Sequence, residues 1–302
     1  LVTRDLEHLT AFIDDLMSLH EQMTYNPEDD MGAIPLNLTI DGFNTLGTTP
    51  KLLRDGDRSP GPFSVHRYLY PKSGVPTFGD AKVAVYLEDL VAGNVDVAIV
   101  GVPSNMSSGR RDAGHAPDRM RALNTISTPD IQSLIRPMEA LLVVDYGNFE
   151  IDNMSVERTV THVTAMVAEM AGSGAIPMLV GGDTSMLYPG VKGVAESRGT
   201  GTFGLLHFGA HPDADRFNDH TMSDRQVLFR LLDQGIVAGD EAIQVGLRGP
   251  DVDIDTLKWL RDKGVRYHTM AEIQRRGFDN VLRRVIREVR RGPDAFFVSI
   301  DV

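Results

Sequence analysis

Apolar residues recur along this chain in two different periods. Over residues 4–20, Leu6, Leu9, Ile13, Leu16 and Met17 fall at helical spacing with acids between them, which predicts an amphipathic N-terminal helix. From 24 to 80 the chain is interrupted by Pro, Gly and Asp (NPEDD, RDGDRSPGP, YPKSGVPTFGD) and shows little periodicity. So long a stretch without clear elements is unusual inside a compact domain. Yet Leu36, Leu38, Ile40, Phe43, Leu46, Phe63, Tyr68 and Tyr70 all need cover, which argues against a disordered linker. Residues 1–80 are therefore expected to form a helix and an extended arm, wrapped over a body or a neighbouring subunit.

Beyond residue 80 short β-branched runs alternate with helical segments. The runs are 95–103, 141–147, 176–183, 204–211, 242–249, 264–270 and 295–301; the helical segments include 156–172, 185–198, 223–235, 251–263 and 278–291. Near-continuous apolar strands joined by helices predict an α/β domain over 81–302, a three-layer α/β/α arrangement with a mainly parallel sheet. Asp145, Asp183, His211, Asp213 and Asp301 stand where these strands end, and in such sheets ligands bind beyond the carboxyl ends. Because the last strand runs up to Val302, closing elements are expected beyond it.

Composition narrows the chemistry. The 302 residues carry 30 Lys+Arg against 42 Asp+Glu, a net charge of -12, which argues against nucleic acid as partner. With no cysteine, disulfides, thiolate metal sites and cysteine nucleophiles are excluded. No apolar run is long enough to cross a bilayer and the first residues lack a signal-peptide core, so a cytoplasmic protein without a membrane partner is expected. The basic run RRVIREVRR at 283–291 keeps Val285, Ile286 and Val289 at helical spacing and is read as a solvated helix face.

Four strand ends together carry a resemblance. Gly181-Gly182-Asp183-Thr184-Ser185 is similar to a GGDHS motif, Gly209-Ala210-His211-Pro212-Asp213 to DAHxD, Ser299-Ile300-Asp301-Val302 to the start of SxDxD, and Asp145-Tyr146-Gly147-Asn148 to a strand-end DxGD. These motifs, in this order, resemble those of the ureohydrolases (arginase, agmatinase, guanidinobutyrase). The resemblance implies an arginase-like fold and hydrolysis of a guanidinium carbon by a hydroxide shared between two divalent metals, usually manganese and sometimes nickel. Such a pair lowers the pKa of the shared water and clamps the tetrahedral intermediate.

Against that pattern the ligand set is broken. The GGDH histidine is Thr184, a neutral hydroxyl, and the first aspartate of DAHxD is Gly209, with no side chain. His211, Asp213 and Asp301 are kept, and the second Asp of SxDxD would fall beyond Val302. The family's SHG segment aligns with Ser223-Asp224-Arg225, and its GARxGP segment reads Asp112-Ala113-Gly114-His115-Ala116-Pro117. Four metal charges would face only two of the family's carboxylates, Asp213 and Asp301, and uncompensated charge in a partly desolvated cleft is strongly disfavoured. The leading expectation is thus a metal-site-degenerate, noncatalytic subunit with no cofactor of its own. It would sit in a trimer- or hexamer-based hetero-oligomer with an active ureohydrolase paralogue, which holds nickel or manganese and a guanidino or biguanide substrate. Metformin hydrolase-type heteromers are the nearest comparison. Two alternatives stand beside it. One is an active agmatinase- or guanidinobutyrase-like hydrolase with a relocated site on His207, His211 and Asp213. The other is a regulatory protein that binds a guanidinium compound without cleaving it, with Asp183, Asp213 and Asp215 able to hold the cation; Asp183, Asp215 and Asp224 form the expected residual pocket.

Overall fold

The computed structural model describes residues 58–65, 75–105, 112–123, 137–216, 222–250 and 253–302. The chain divides into two units, Leu1–Leu46 and Gly47–Val302, and all described residues lie in the second. The expected helix at 4–20 and most of the expected arm lie outside the described residues.

Each apolar run foreseen after residue 80 is a strand. A short β1 (Lys82–Val83) precedes β2 (Val97–Gly101), β3 (Val143–Asn148), β4 (Ile176–Val180), β5 (Gly204–Phe208), β6 (Ala242–Leu247), β7 (Arg266–Thr269) and β8 (Phe296–Ile300). The helices are α1 (Leu87–Gly93), α2 (Ala116–Leu123), α3 (Pro137–Ala140), α4 (Val156–Gly172), α5 (Leu187–Arg198), α6 (Val227–Asp233), α7 (Ile254–Asp262), α8 (Met270–Arg276) and α9 (Phe278–Val289). Short polar side chains set where several begin. The Ser155 hydroxyl accepts from Arg158 N at 3.2 Å, Asp253 accepts from Asp255 N and Thr256 N, and the Thr269 hydroxyl accepts from Glu272 N. No helix among the described residues is long and apolar enough to cross a membrane.

The strands pair in parallel, but in two four-stranded sheets, β1-β3-β2-β4 and β7-β6-β5-β8. One hydrophobic cluster joins them, with Val100 and Val144 of the first sheet and Leu205 and Ala242 of the second packed with Val163, Val167, Val191 and Leu231 from the helices. Helix α5 reaches both. A β-carbon on Gly190 would lie 3.1 Å from Leu179 of β4 and 3.4 Å from Phe297 of β8, and one on Gly193 would strike the Thr164 carbonyl of α4 at 2.6 Å. Glycine at 193 is thus a requirement of close helix approach. On the outer side of the second sheet, Val281 and Val285 of α9 cover Ile243 and Val245. The edge strands β4 and β8, each last in the order of its sheet, are not buried on both faces. Ile176 and Met178 are 59% and 47% exposed, and Val298 and Ile300 are 53% and 69% exposed.

The described part of the arm is tied to this body. The Arg58 guanidinium donates twice to Asp89 at 2.9 Å, and Phe63 bridges antiparallel to Val83. Asp89 also accepts from the N–H groups of Gly61, Val85 and Tyr86. Burial alone would raise the Asp89 pKa, but these hydrogen bonds outweigh it and hold the carboxyl down at about 2.

Candidate functional site

The strand-end motifs meet around the end of β5. His207, on the penultimate residue of that strand, pairs in register with Gln244 of β6 and Ser299 of β8. Its Nδ1 lies 3.1 Å from Ser299 Oγ, and its ring is only 2% exposed. Among the described residues Nε2 has no hydrogen-bond partner, and it faces Asp213 Oδ2 at 3.8 Å. The ring lies over Gly209: a β-carbon there would sit 2.5 Å from Nε2, 3.2 Å from Cε1 and 3.3 Å from Cδ2. The place an aspartate side chain would leave from is therefore filled by imidazole.

Asp213 adopts a left-handed φ of 48°, and its carbonyl receives the N–H groups of Leu228 and Phe229. Burial, and then the charges of Asp301, Asp224 and Asp215, raise its pKa to about 8, with Arg225 opposing. Burial lowers the His207 pKa, against the pull of Asp301. The pair is thereby poised as neutral imidazole beside carboxylic acid, an arrangement that needs no counter-ion.

The remaining positions are occupied otherwise. Gly182 has a φ of 80°, and a β-carbon there would meet the Val102 carbonyl at 2.4 Å, so the GGD turn demands glycine. After it, buried Asp183 caps a turn of 3₁₀ helix, Thr184–Met186, by accepting from the Ser185 amide and hydroxyl. Thr184 is half-buried at the first position of that turn, which packs on the turn Asp224–Gln226. Asp224 accepts from Ser223 Oγ and Arg225 N, Asp215 pairs with Arg225 Nε at 3.1 Å, and Asp301 is exposed.

His211 is exposed, past the end of β5, whereas His207 is buried. The relocated site that would join them to Asp213 supposes a gap at Gly209 between two rings, and one ring fills that gap instead. Among the described residues no three His, Asp or Glu side chains stand where they could hold a metal ion together. The donor set thus does not fit a metal pair, since a hydroxyl and a bare backbone replace two ligands and the vacated volume is taken.

Asp145, the strand-end DxGD acid, is 3% exposed and fully engaged. Arg121 of α2 grips it with two bonds, Nε to Oδ2 at 2.8 Å and Nη2 to Oδ1 at 2.9 Å. The guanidinium also donates to the Gly147 carbonyl and Asn148 Oδ1, and stacks 4.1 Å from the centre of the Phe78 ring. Sequence reasoning missed this clamp, whose partners lie 24 residues apart.

The profile of the Arginase family matches residues 95–302, more than half of the chain. The chain belongs to the arginase family. Within it, the chain is 26% identical over 214 residues to the mitochondrial agmatinase of Gallus gallus, covering 70% of this chain and 62% of that protein. It is 29% identical over 178 residues to the mitochondrial guanidino acid hydrolase of Rattus norvegicus, covering 57% and 49%. The chain thus spans about half to two thirds of the length of these relatives. Its fold matches the crystal structure of formimidoylglutamase from Bacillus subtilis with a TM-score of 0.66 at 24% identity, over 78% of this chain and 73% of that one.

Proposed function

We propose that this arginase-family chain is a noncatalytic subunit that supports an active, metal-bearing paralogue. The observation that carries this reading is the His207 ring standing where the side chain of residue 209 would leave the backbone. Support also comes from Thr184 at the histidine position and from a sheet, core and turn structure that keep the family's fold. Packing and chemistry are separate demands, so an assembly surface outlasts the loss of catalytic donors. The paralogue would keep GGDHS and DAHxD, bind nickel or manganese, and act on a guanidino compound. A biguanide such as metformin is the narrower form of the same reading.

Co-expression tests it. The chain alone is expected to release no urea from agmatine, arginine or metformin. It is also expected to co-purify with the paralogue and to raise that subunit's activity or stability. Urea release by the chain alone favours the active-hydrolase alternative and overturns the proposal, as does failure to form a complex. Saturable binding of a guanidinium compound by the chain alone, without turnover, would instead favour the regulatory reading.

A further inference from the structure

We propose that a cavity of about 350 Å³ between α8 and α9 is a binding site for a small dianionic oxyanion, carrying phosphate or paired carboxylate groups. This does not depend on the reading of the metal site. The volume falls in the range of small-molecule pockets. Although the chain has a net charge of -12, Arg276, Arg283, Arg284 and Arg287 line this cavity, with Glu272 as the acid among them.

The charge of Glu272 is already matched. Its Oε1 takes Arg276 Nε at 3.3 Å and Arg284 Nη1 at 3.4 Å, and its Oε2 lies 3.0 Å from His268 Nδ1. The other His268 nitrogen, Nε2, lies 3.2 Å from Glu288 Oε2, and Glu288 Oε1 accepts from Arg284 Nε at 3.1 Å. His268 is only 2% exposed, so the network anchors the lining residues Glu272 and Arg284 to a buried ring. It occupies Arg276 and Arg284. Arg283 and Arg287, one helical turn apart, have no ion pair among the described residues. Like charges at that spacing repel each other. An oxyanion between them would relieve the repulsion and match the planar fork of each guanidinium with two acceptor oxygens. The run 283–291, read from sequence as a solvated face, therefore has an apolar side in the core at Val281 and Val285 and arginines that converge on a concavity.

Titration calorimetry of the whole chain at low ionic strength, with inorganic phosphate and separately with succinate, tests the site. At least one probe is expected to bind saturably and to weaken as salt is raised. In Arg283→Gln/Arg287→Gln the affinity should fall by about tenfold or more, the scale of a lost charge-assisted bond. A preference between the probes identifies the phosphate or the carboxylate source. The replaced side chains make no ion pair among the described residues, and an unchanged thermal melt verifies the variant's fold. Absence of saturable heat with both probes, or equal affinity in wild type and the double variant, overturns the proposal.

Discussion

The Nε2 atom of His207 stands 2.5 Å from the point where a β-carbon on Gly209 would lie. Real β-carbons do not approach a ring that closely, so the two positions are coupled: a side chain at 209 requires the imidazole to shift. Gly209→Asp alone is accordingly expected to destabilise the protein by about 1–3 kcal/mol, as overpacking does, and to gain no metal. Restoring Thr184→His beside it should not change that. Adding His207→Ala to both should recover stability relative to Gly209→Asp and allow metal to bind, as read by calorimetry and elemental analysis.

The clamp between Arg121 and Asp145 gives a second expectation. Asp145 is 3% exposed and bonded twice to the guanidinium, so Arg121→Ala leaves a buried carboxylate without its counter-charge. Loss of one partner of such a pair costs about 3–5 kcal/mol. Arg121→Lys should recover only part, since an ammonium cannot make the paired bonds. Urea denaturation measures both. An Arg121→Ala protein as stable as the parent would show that the clamp contributes little.

Acid stability should depend on Asp89. Its carboxyl titrates at about 2 in the folded chain against an ordinary 3.8, so the unfolded chain takes up the proton first as pH falls. The stability it contributes is complete above pH 3.8 and is lost between there and about 2. In Asp89→Asn the melting temperature should be lower at neutral pH and should fall less steeply over that acid interval. Parallel acid limbs in the two proteins would contradict the assignment.

The exposed apolar side chains of β4 and β8 predict behaviour in solution. Among the described residues, Ile176 and Met178 stand on a strand paired on one side only, as do Val298 and Ile300. Unprotected edges of this kind promote association. Ile176→Lys/Met178→Lys in this 302-residue chain is expected to reduce self-association in light scattering without lowering the thermal midpoint.

Much of this fold can be read from sequence because burial on both faces produces continuous β-branched runs, and VDVAIVG and GLLHF announce β2 and β5 without help from distant residues. Limits blur where one residue serves two elements. Thr269 closes β7 and also caps α8, so the run 264–270 conceals a helix start. Helix 223–235 is interrupted at its beginning because Ser223 holds a tighter turn over Asp224–Gln226. Helix α2 is hidden by its proline and by the altered motif it carries. The site was partly legible: the losses at 184 and 209 are visible as letters, and residues 207 and 209 share a strand face. That the His207 ring fills the gap depends on how the chain packs around it, with Ser299 of β8 at Nδ1 and Asp213 facing Nε2. No local spacing encodes that.

The most direct test is the metal content of the chain purified alone, after equilibration with manganese or nickel and removal of free ions, by plasma mass spectrometry. Well under one ion per chain is expected, because no three donors converge among the described residues. Two ions per chain, retained through gel filtration, would contradict it.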